Sequence, residues 1–346
     1  MTGLVVIDGH NDVLSHLHEE NAPDDVLLRG DAATITVPRA RAGGLAAGLF
    51  AMLPPAPPWE DVKRTGGGYN IPLAPAVPFE TSVRTVAALA ARLFRALRAC
   101  DGVSLVRDVA DLDRCLAGGG GLGAILHMEG AEGIDPGLDL LDVWHAAGLR
   151  SLGIVWSRPN AFGHGVPFRF PSTPDTGPGL TPAGFDLVRR CADLGIAIDL
   201  SHLNAAGFWD VARTLDGPLI ASHSGVHALC TYSRNLTDYQ IDAIAASGGL
   251  VGINFDVGAL RGDGGDDPDT PVAKIAEHAR YVADRIGVDH VALGSDFDGA
   301  TMPAEVPDAT GYPRVLAALE AAGFEGVEVD RIASGNWRRV LSSAWR

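Results

Sequence analysis

Short apolar runs rich in β-branched residues recur along this chain, and several of them end on a side chain able to bind a metal. Residues 4–12 read LVVIDGHND. In extended backbone, side chains two apart share a face, so His10 and Asp12 are expected to converge on one point. An imidazole and a carboxylate so placed suit a divalent cation such as zinc. Two further runs, 197–202 and 219–223, end in His202 and His223, and the run 291–296 ends in Asp296. In all, strand-like runs fall near 4–8, 45–53, 122–128, 149–156, 197–200, 218–223, 249–255 and 290–297, with helical patterns between them. This alternation is the mark of βαβ units. Eight parallel strands are what a closed barrel needs, so the expected fold is α/β, a (β/α)8 TIM barrel.

The helices announce themselves by their ends. Thr181-Pro182 supplies an N-cap and a first-turn proline, an apolar-periodic stretch follows, and Gly195 stops it. Thr237 opens a second helix that ends at Gly248 in the same way. A last helix near 329–343 is expected to pack across the outside of the barrel or to close its bottom. Three segments break the rhythm: 54–78 and 160–178, rich in Pro and Gly, and the acidic 261–271. All three follow strands, which places them on the C-terminal face of a barrel as lid loops over a site. The whole chain, 1–346, reads as a single domain.

Composition narrows the partners. A net charge of −16 argues against nucleic acid and against an anionic membrane surface. The four cysteines show no CxxC spacing and read as reduced, mostly buried thiols of a cytoplasmic protein. The first residues run straight into a strand, unlike a signal peptide, and no apolar run is long enough to span a bilayer.

In a barrel the strand ends share one cup, so ligands distant in sequence can meet. The candidates are His10, Asp12, Glu129, His202, His223 and Asp296. Three imidazoles and three carboxylates exceed the three protein ligands of one catalytic zinc, and two metals sharing a carboxylate fit better. Glu129 is the preferred bridge, with Glu132 as the other choice. Two-metal sites hold their ions about 3.5–4 Å apart and serve hydrolysis of amides, esters or phosphates. His127 alternates with Glu129 and is placed behind the ligands. Asp8 and Asp199 fit equally as orienting partners of ligand imidazoles or as strand-end caps.

The ordered set of motifs closely resembles the membrane (renal) dipeptidase family of zinc dipeptidases, within the amidohydrolase superfamily of distorted TIM barrels. The resemblance rests on Asp8-Gly-His-Asn-Asp12, His127-Met-Glu-Gly-Ala-Glu132, Asp199-Leu-Ser-His202, Ser222-His-Ser-Gly225 with Arg234-Asn235, Gly294-Ser-Asp-Phe-Asp-Gly299 and Ser334-Gly-Asn-Trp337. It implies two zinc ions, His10 and Asp12 on one, His202 and His223 on the other, with Glu129 and a water or hydroxide bridging. It implies Asp296 as the catalytic acid/base and Arg234 as the group that binds the carboxylate of a small dipeptide substrate, with a D-residue tolerated at the C-terminal position. Trp156 falls where the family usually carries a substrate-binding histidine. Three readings stay open there: the indole polarises the substrate more weakly, His164 or Arg158 takes over, or the substrate is another amide, a lactam or an N-acyl amino acid. Assembly as a homodimer is left open.

Overall fold

Eight parallel strands follow one another around the barrel in chain order: β1 (Val6–Asn11), β2 (Leu45–Met52), β3 (Leu122–Glu129), β4 (Leu149–Gly153), β5 (Ala197–Asp199), β6 (Ile220–Ser224), β7 (Leu250–Asn254) and β8 (Val291–Gly294). The computed structural model describes residues 5–28, 33–55, 67–99 and 101–345. Nearly every strand residue is buried, as expected where helices cover one face and barrel-interior side chains the other. The seam between β8 and β1 is drawn together beyond the strand ends. Asn11 bridges Phe297, Asp12 N donates to Phe297 O (2.8 Å), and Asp296 N donates to His10 O (3.0 Å). The β5–β6 ladder is reduced to the single pair Asp199–Ile220, so the barrel is distorted at that side. Each expected strand is present, some shorter than the apolar run that announced it. A three-residue strand, Val103–Leu105, pairs with β3 outside the barrel order and was not expected from the sequence.

The capping signals act as anticipated. In helix α1 (Pro182–Leu194) the Thr181 side chain accepts from Gly184 N, and Gly195 ends the helix at φ 68°. Thr237 and Gln240 form a capping box on α2 (Asp238–Ala246). The chain then closes the barrel's bottom with α3 (Asn336–Ala344), entered through a π-turn at Arg331–Gly335. Trp337 of α3 is fully buried and packs among Ile7, Ile125, Ile220 and Leu250 of the barrel interior, its indole N–H donating to Leu293 O at 2.9 Å. Gly9 makes room for it, since a methyl group there would collide with the indole and with the Ser222 carbonyl. Removing a buried indole typically costs about 3–5 kcal/mol. Trp337→Ala is therefore expected to lower the urea unfolding midpoint markedly. An unchanged midpoint would show that the floor does not depend on this ring.

Two of the three presumed lid segments pair with each other, while 261–271 forms turns without regular secondary structure. Within 54–78 and 160–178, the segments Tyr69–Ile71 and Phe168–Phe170 pair as an antiparallel two-stranded sheet, Tyr69 opposite Phe170 and Ile71 opposite Phe168. Residues 56–66 of the first lie outside the described residues. The third segment joins them through Gly264 at φ 66°, where the Phe170 ring stands in the space a side chain would fill. Ser233 exchanges two hydrogen bonds with the same strand: Ser233 N donates to Arg169 O, and Arg169 N to the Ser233 hydroxyl, each at 3.1 Å. Cys115, Cys191 and Cys230 are buried free thiols, and Cys100 lies outside the described residues. Among the described residues no helix is long and apolar enough to cross a membrane.

Candidate metal centre

His10, at the end of β1, is fully buried with its Nε2 3.5 Å from Asp12 Oδ2 and 3.6 Å from Glu129 Oε2. The other Glu129 oxygen, Oε1, lies 3.0 Å from His202 Nε2 and 3.6 Å from His223 Nε2. One carboxylate at the end of β3 thus turns one oxygen to each of two donor pairs. Potential ligand atoms lie within 4.8 Å of one another in the sets His10–Asp12–Asp296 and Glu129–His202–His223. A third set, His10–Asp199–His223, overlaps them, but both oxygens of Asp199 are engaged by Ser201 and Ser222.

These residues fit a pair of dications. Both ring nitrogens of His10 and Oδ1 of Asp12 are buried and make no hydrogen bond among the described residues. Such orphans are rare and costly unless something else satisfies them. The Nε2 atoms of His202 and His223 face each other at 3.2 Å, and all the donors are nitrogen or carboxylate oxygen, as zinc prefers. Electrostatics points the same way. Burial pushes Glu129 up to about 7, opposed by His10 and aided by Asp12 and Asp296. Burial likewise raises Asp296 to about 6, with Asp12 and Asp256 adding and His10 and Asn254 opposing. His202 and His223 are held well below the usual histidine range by burial and by the charges of His10 and Arg234. Against the effect of burial, Glu129 and Asp12 hold His10 well above that range. Carboxylates and imidazoles so opposed in a dry cup are the environment a cation relieves.

Strain marks the same spot. His202 (φ 66°) and Asp296 (φ 64°) adopt left-handed backbone, which costs about 1–3 kcal/mol at a non-glycine residue. Asn254, at the end of β7, donates to Asp296 Oδ2 at 3.0 Å, and an oxygen of Asp296 lies in the set with His10 and Asp12. Gly299 is required beside them, because a side chain there would strike the carboxylates of Asp12 and Asp296.

Arg234 is buried, and its Nη2 donates to His223 O at 3.3 Å. Among the described residues it forms no ion pair with a carboxylate. Trp156 packs against the centre: its ring centroid is 5.8 Å from His202 and 5.5 Å from Phe168.

The other candidate side chains make contacts of their own. Glu132 is withdrawn from the cluster by Arg158, whose Nε lies 3.0 Å from it, leaving Glu129 as the central carboxylate. The remaining nitrogens of Arg158 donate to the carbonyls of Pro55 (2.7 Å) and Pro54 (3.1 Å), so each nitrogen of its guanidinium faces a partner within the protein. His164 Nδ1 is engaged with Gly179 O at 3.2 Å. Among the described residues Asp8 makes no hydrogen bond to an imidazole. It accepts from Ser295 N (2.8 Å) and the Ser295 hydroxyl (3.0 Å), securing the turn that carries Asp296. His127 sits behind the ligands, its Nδ1 2.9 Å from the Ser151 hydroxyl. Sequence reasoning missed Asn254, Ser157 and the part played by Ser222. Each is a small polar residue at a strand end, a faint signal that the larger ligand types overshadow.

A parallel barrel whose strand ends gather two donor pairs around one carboxylate is the architecture of a metal-dependent hydrolase. The chain belongs to the membrane dipeptidase family, peptidase family M19, whose family model matches residues 1–345, and is accordingly a metallo-dipeptidase, a hydrolase acting on peptide bonds. Its structure superposes with a TM-score of 0.95 on a metallo peptidase from Rhodobacter sphaeroides liganded with a phosphinate mimic of the dipeptide L-Ala-D-Ala, at 42% identity over 99% of both chains. A second metallo peptidase of family M19, dipeptidase AC, matches with the same TM-score at 43% identity over 99% of both chains. An uncharacterized protein in the pqqA 5′ region of Klebsiella pneumoniae is 47% identical over 242 residues, 70% of this chain and 89% of the relative.

Proposed function

We propose that this protein hydrolyses dipeptides that carry a free C-terminal carboxylate, at a centre of two zinc ions bridged by Glu129. The observation that carries the substrate class is Arg234, a buried guanidinium beside the donor cluster with no carboxylate partner among the described residues. A guanidinium fork pairs with a carboxylate through two parallel hydrogen bonds. The Rhodobacter sphaeroides relative holds a mimic of L-Ala-D-Ala, which supports tolerance of a D-residue at the C-terminal position here.

In this reading His10 and Asp12 would hold one ion, His202 and His223 the other, and Glu129 would serve both. Such ions, when bound, supply Lewis acidity and make water ionise near neutral pH. The chain's own residues do the rest. Asp296 takes the proton of the attacking water on Oδ1 while Asn254 steadies Oδ2. As the C–N bond breaks and a C–O bond takes its place, Asp296 returns that proton to the leaving nitrogen. Arg234 fixes the substrate's carboxylate end, Trp156 forms a wall beside His202, and the described parts of 54–78, with 160–178 and 261–271, serve as lids of a single-domain barrel. The buried free thiols fit a cytoplasmic setting.

Charge-assisted hydrogen bonds contribute about 1.5–3 kcal/mol. At about 1.4 kcal/mol per decade, Arg234→Met should cut kcat/KM for free dipeptides by roughly ten- to over a hundredfold. C-terminally amidated analogues should be affected far less. Equal losses on both would assign Arg234 another role and would favour an amide, lactam or N-acyl substrate without a terminal carboxylate.

A further inference from the structure

The Nδ1 atom of His223 lies 2.8 Å from the hydroxyl of Ser222. That hydroxyl lies 2.6 Å from Asp199 Oδ2, while Asp199 Oδ1 accepts from Ser201 N (3.0 Å) and Ser222 N (2.8 Å). All three side chains are buried. A serine hydroxyl has one hydrogen to give, and a carboxylate only accepts. The Ser222 hydrogen goes to Asp199, since the Ser201 hydroxyl is farther away at 3.4 Å. The hydrogen in the Ser222–His223 contact must then come from the imidazole. A neutral imidazole carries one N–H, so His223 is protonated on Nδ1 and presents a lone pair on Nε2. His202 is built differently. Its Nδ1 meets the Ser157 hydroxyl at 2.9 Å, and among the described residues no carboxylate hydrogen bond backs that serine.

We propose that Asp199 and Ser222 form a relay that fixes the His223 proton on Nδ1 and keeps Nε2 ready as a cation ligand, whereas the Nδ1 of His202 meets Ser157 alone. Asp199 is thereby a positioning residue acting through Ser222. The use of the lone pair rests on the two-metal reading; the direction of the hydrogen bonds does not.

Asp199→Asn tests this with little change of shape. The amide oxygen stays on the two backbone N–H donors, which turns the amide NH2 toward Ser222. The hydroxyl must then accept from Asn and donate to His223, which moves the imidazole proton to Nε2. Two-bond 1H–15N spectra of the metal-free full chain should show His223 as the Nδ1–H tautomer in the wild type and as Nε2–H in the variant. Chelator competition with zinc should show one of two ions bound about 10–100-fold more weakly in the variant, the usual loss when an outer partner of a metal ligand is removed. Ser222→Ala, which deletes the relay, should weaken the same ion and serves if Asp199→Asn fails to fold. An Nε2–H tautomer in the wild type, or an unchanged tautomer and zinc affinity in Asp199→Asn, overturns the relay. A tautomer shift in a protein whose wild type holds fewer than two zinc ions would uphold the relay and sink the two-metal reading.

Discussion

Asp296→Asn is expected to lower kcat by about 10²–10⁴-fold, the usual contribution of a positioned general acid–base group, while zinc content and dipeptide affinity stay near wild type. The substitution is almost isosteric. The new amide oxygen can keep the hydrogen bond from Asn254, and the backbone contact of residue 296 with His10 O is untouched. What is lost is the ability of the free oxygen to accept and return a proton. Two other roles for this side chain lead to other results. If Asp296 serves chiefly as a metal ligand with His10 and Asp12, occupancy will fall and excess zinc will restore much of the rate. If it merely secures the strand end, activity will follow stability and recover at lower temperature. Near-normal kcat at full zinc content would rule out the acid–base role.

Glu129→Ala should have the larger effect on composition. Because each oxygen of this carboxylate faces a different donor pair, its loss removes a ligand from both positions at once. Purified protein loaded with zinc should hold two ions per chain, and the variant should retain neither tightly, with activity lost alongside. A variant that keeps one ion at wild-type affinity would confine Glu129 to a single position. One tightly held ion in the intact protein would overturn the bridged pair altogether.

The barrel was legible because its signals are local. Each strand is an apolar run bounded by turn residues, and α1 and α2 carry their stops and starts in Thr181, Gly195, Thr237 and Gly248. Most of the cluster was legible for a related reason: barrel topology carries every strand end to one cup, so His10, Glu129, His202, His223 and Asp296 needed only to be strand-terminal to meet. What escaped depends on distances between segments that no spacing encodes. The choice between Glu129 and Glu132 turns on Arg158, which is reached through the fold. The carbonyls of Pro54 and Pro55 that occupy Arg158 are about a hundred positions away from it along the chain. Asp8 fits equally as an imidazole partner or a strand-end cap from the sequence, and only the fold shows its carboxylate meeting Ser295 across the barrel seam. The pairing of Tyr69–Ile71 with Phe168–Phe170 escaped too, since three residues among prolines and glycines give no period to read.

That small ladder over the mouth constrains how such an enzyme can diversify. Phe168 stands edge-on to His202 at 6.1 Å, and its neighbours on the strand alternate between facing in and facing out. A single-residue insertion or deletion in either partner would slip the register by one and exchange those faces. Ser233, bonded to the same strand, would carry the disturbance to Arg234. Changes of substrate preference are thus channelled toward point replacements, or toward grafting both segments as one cassette.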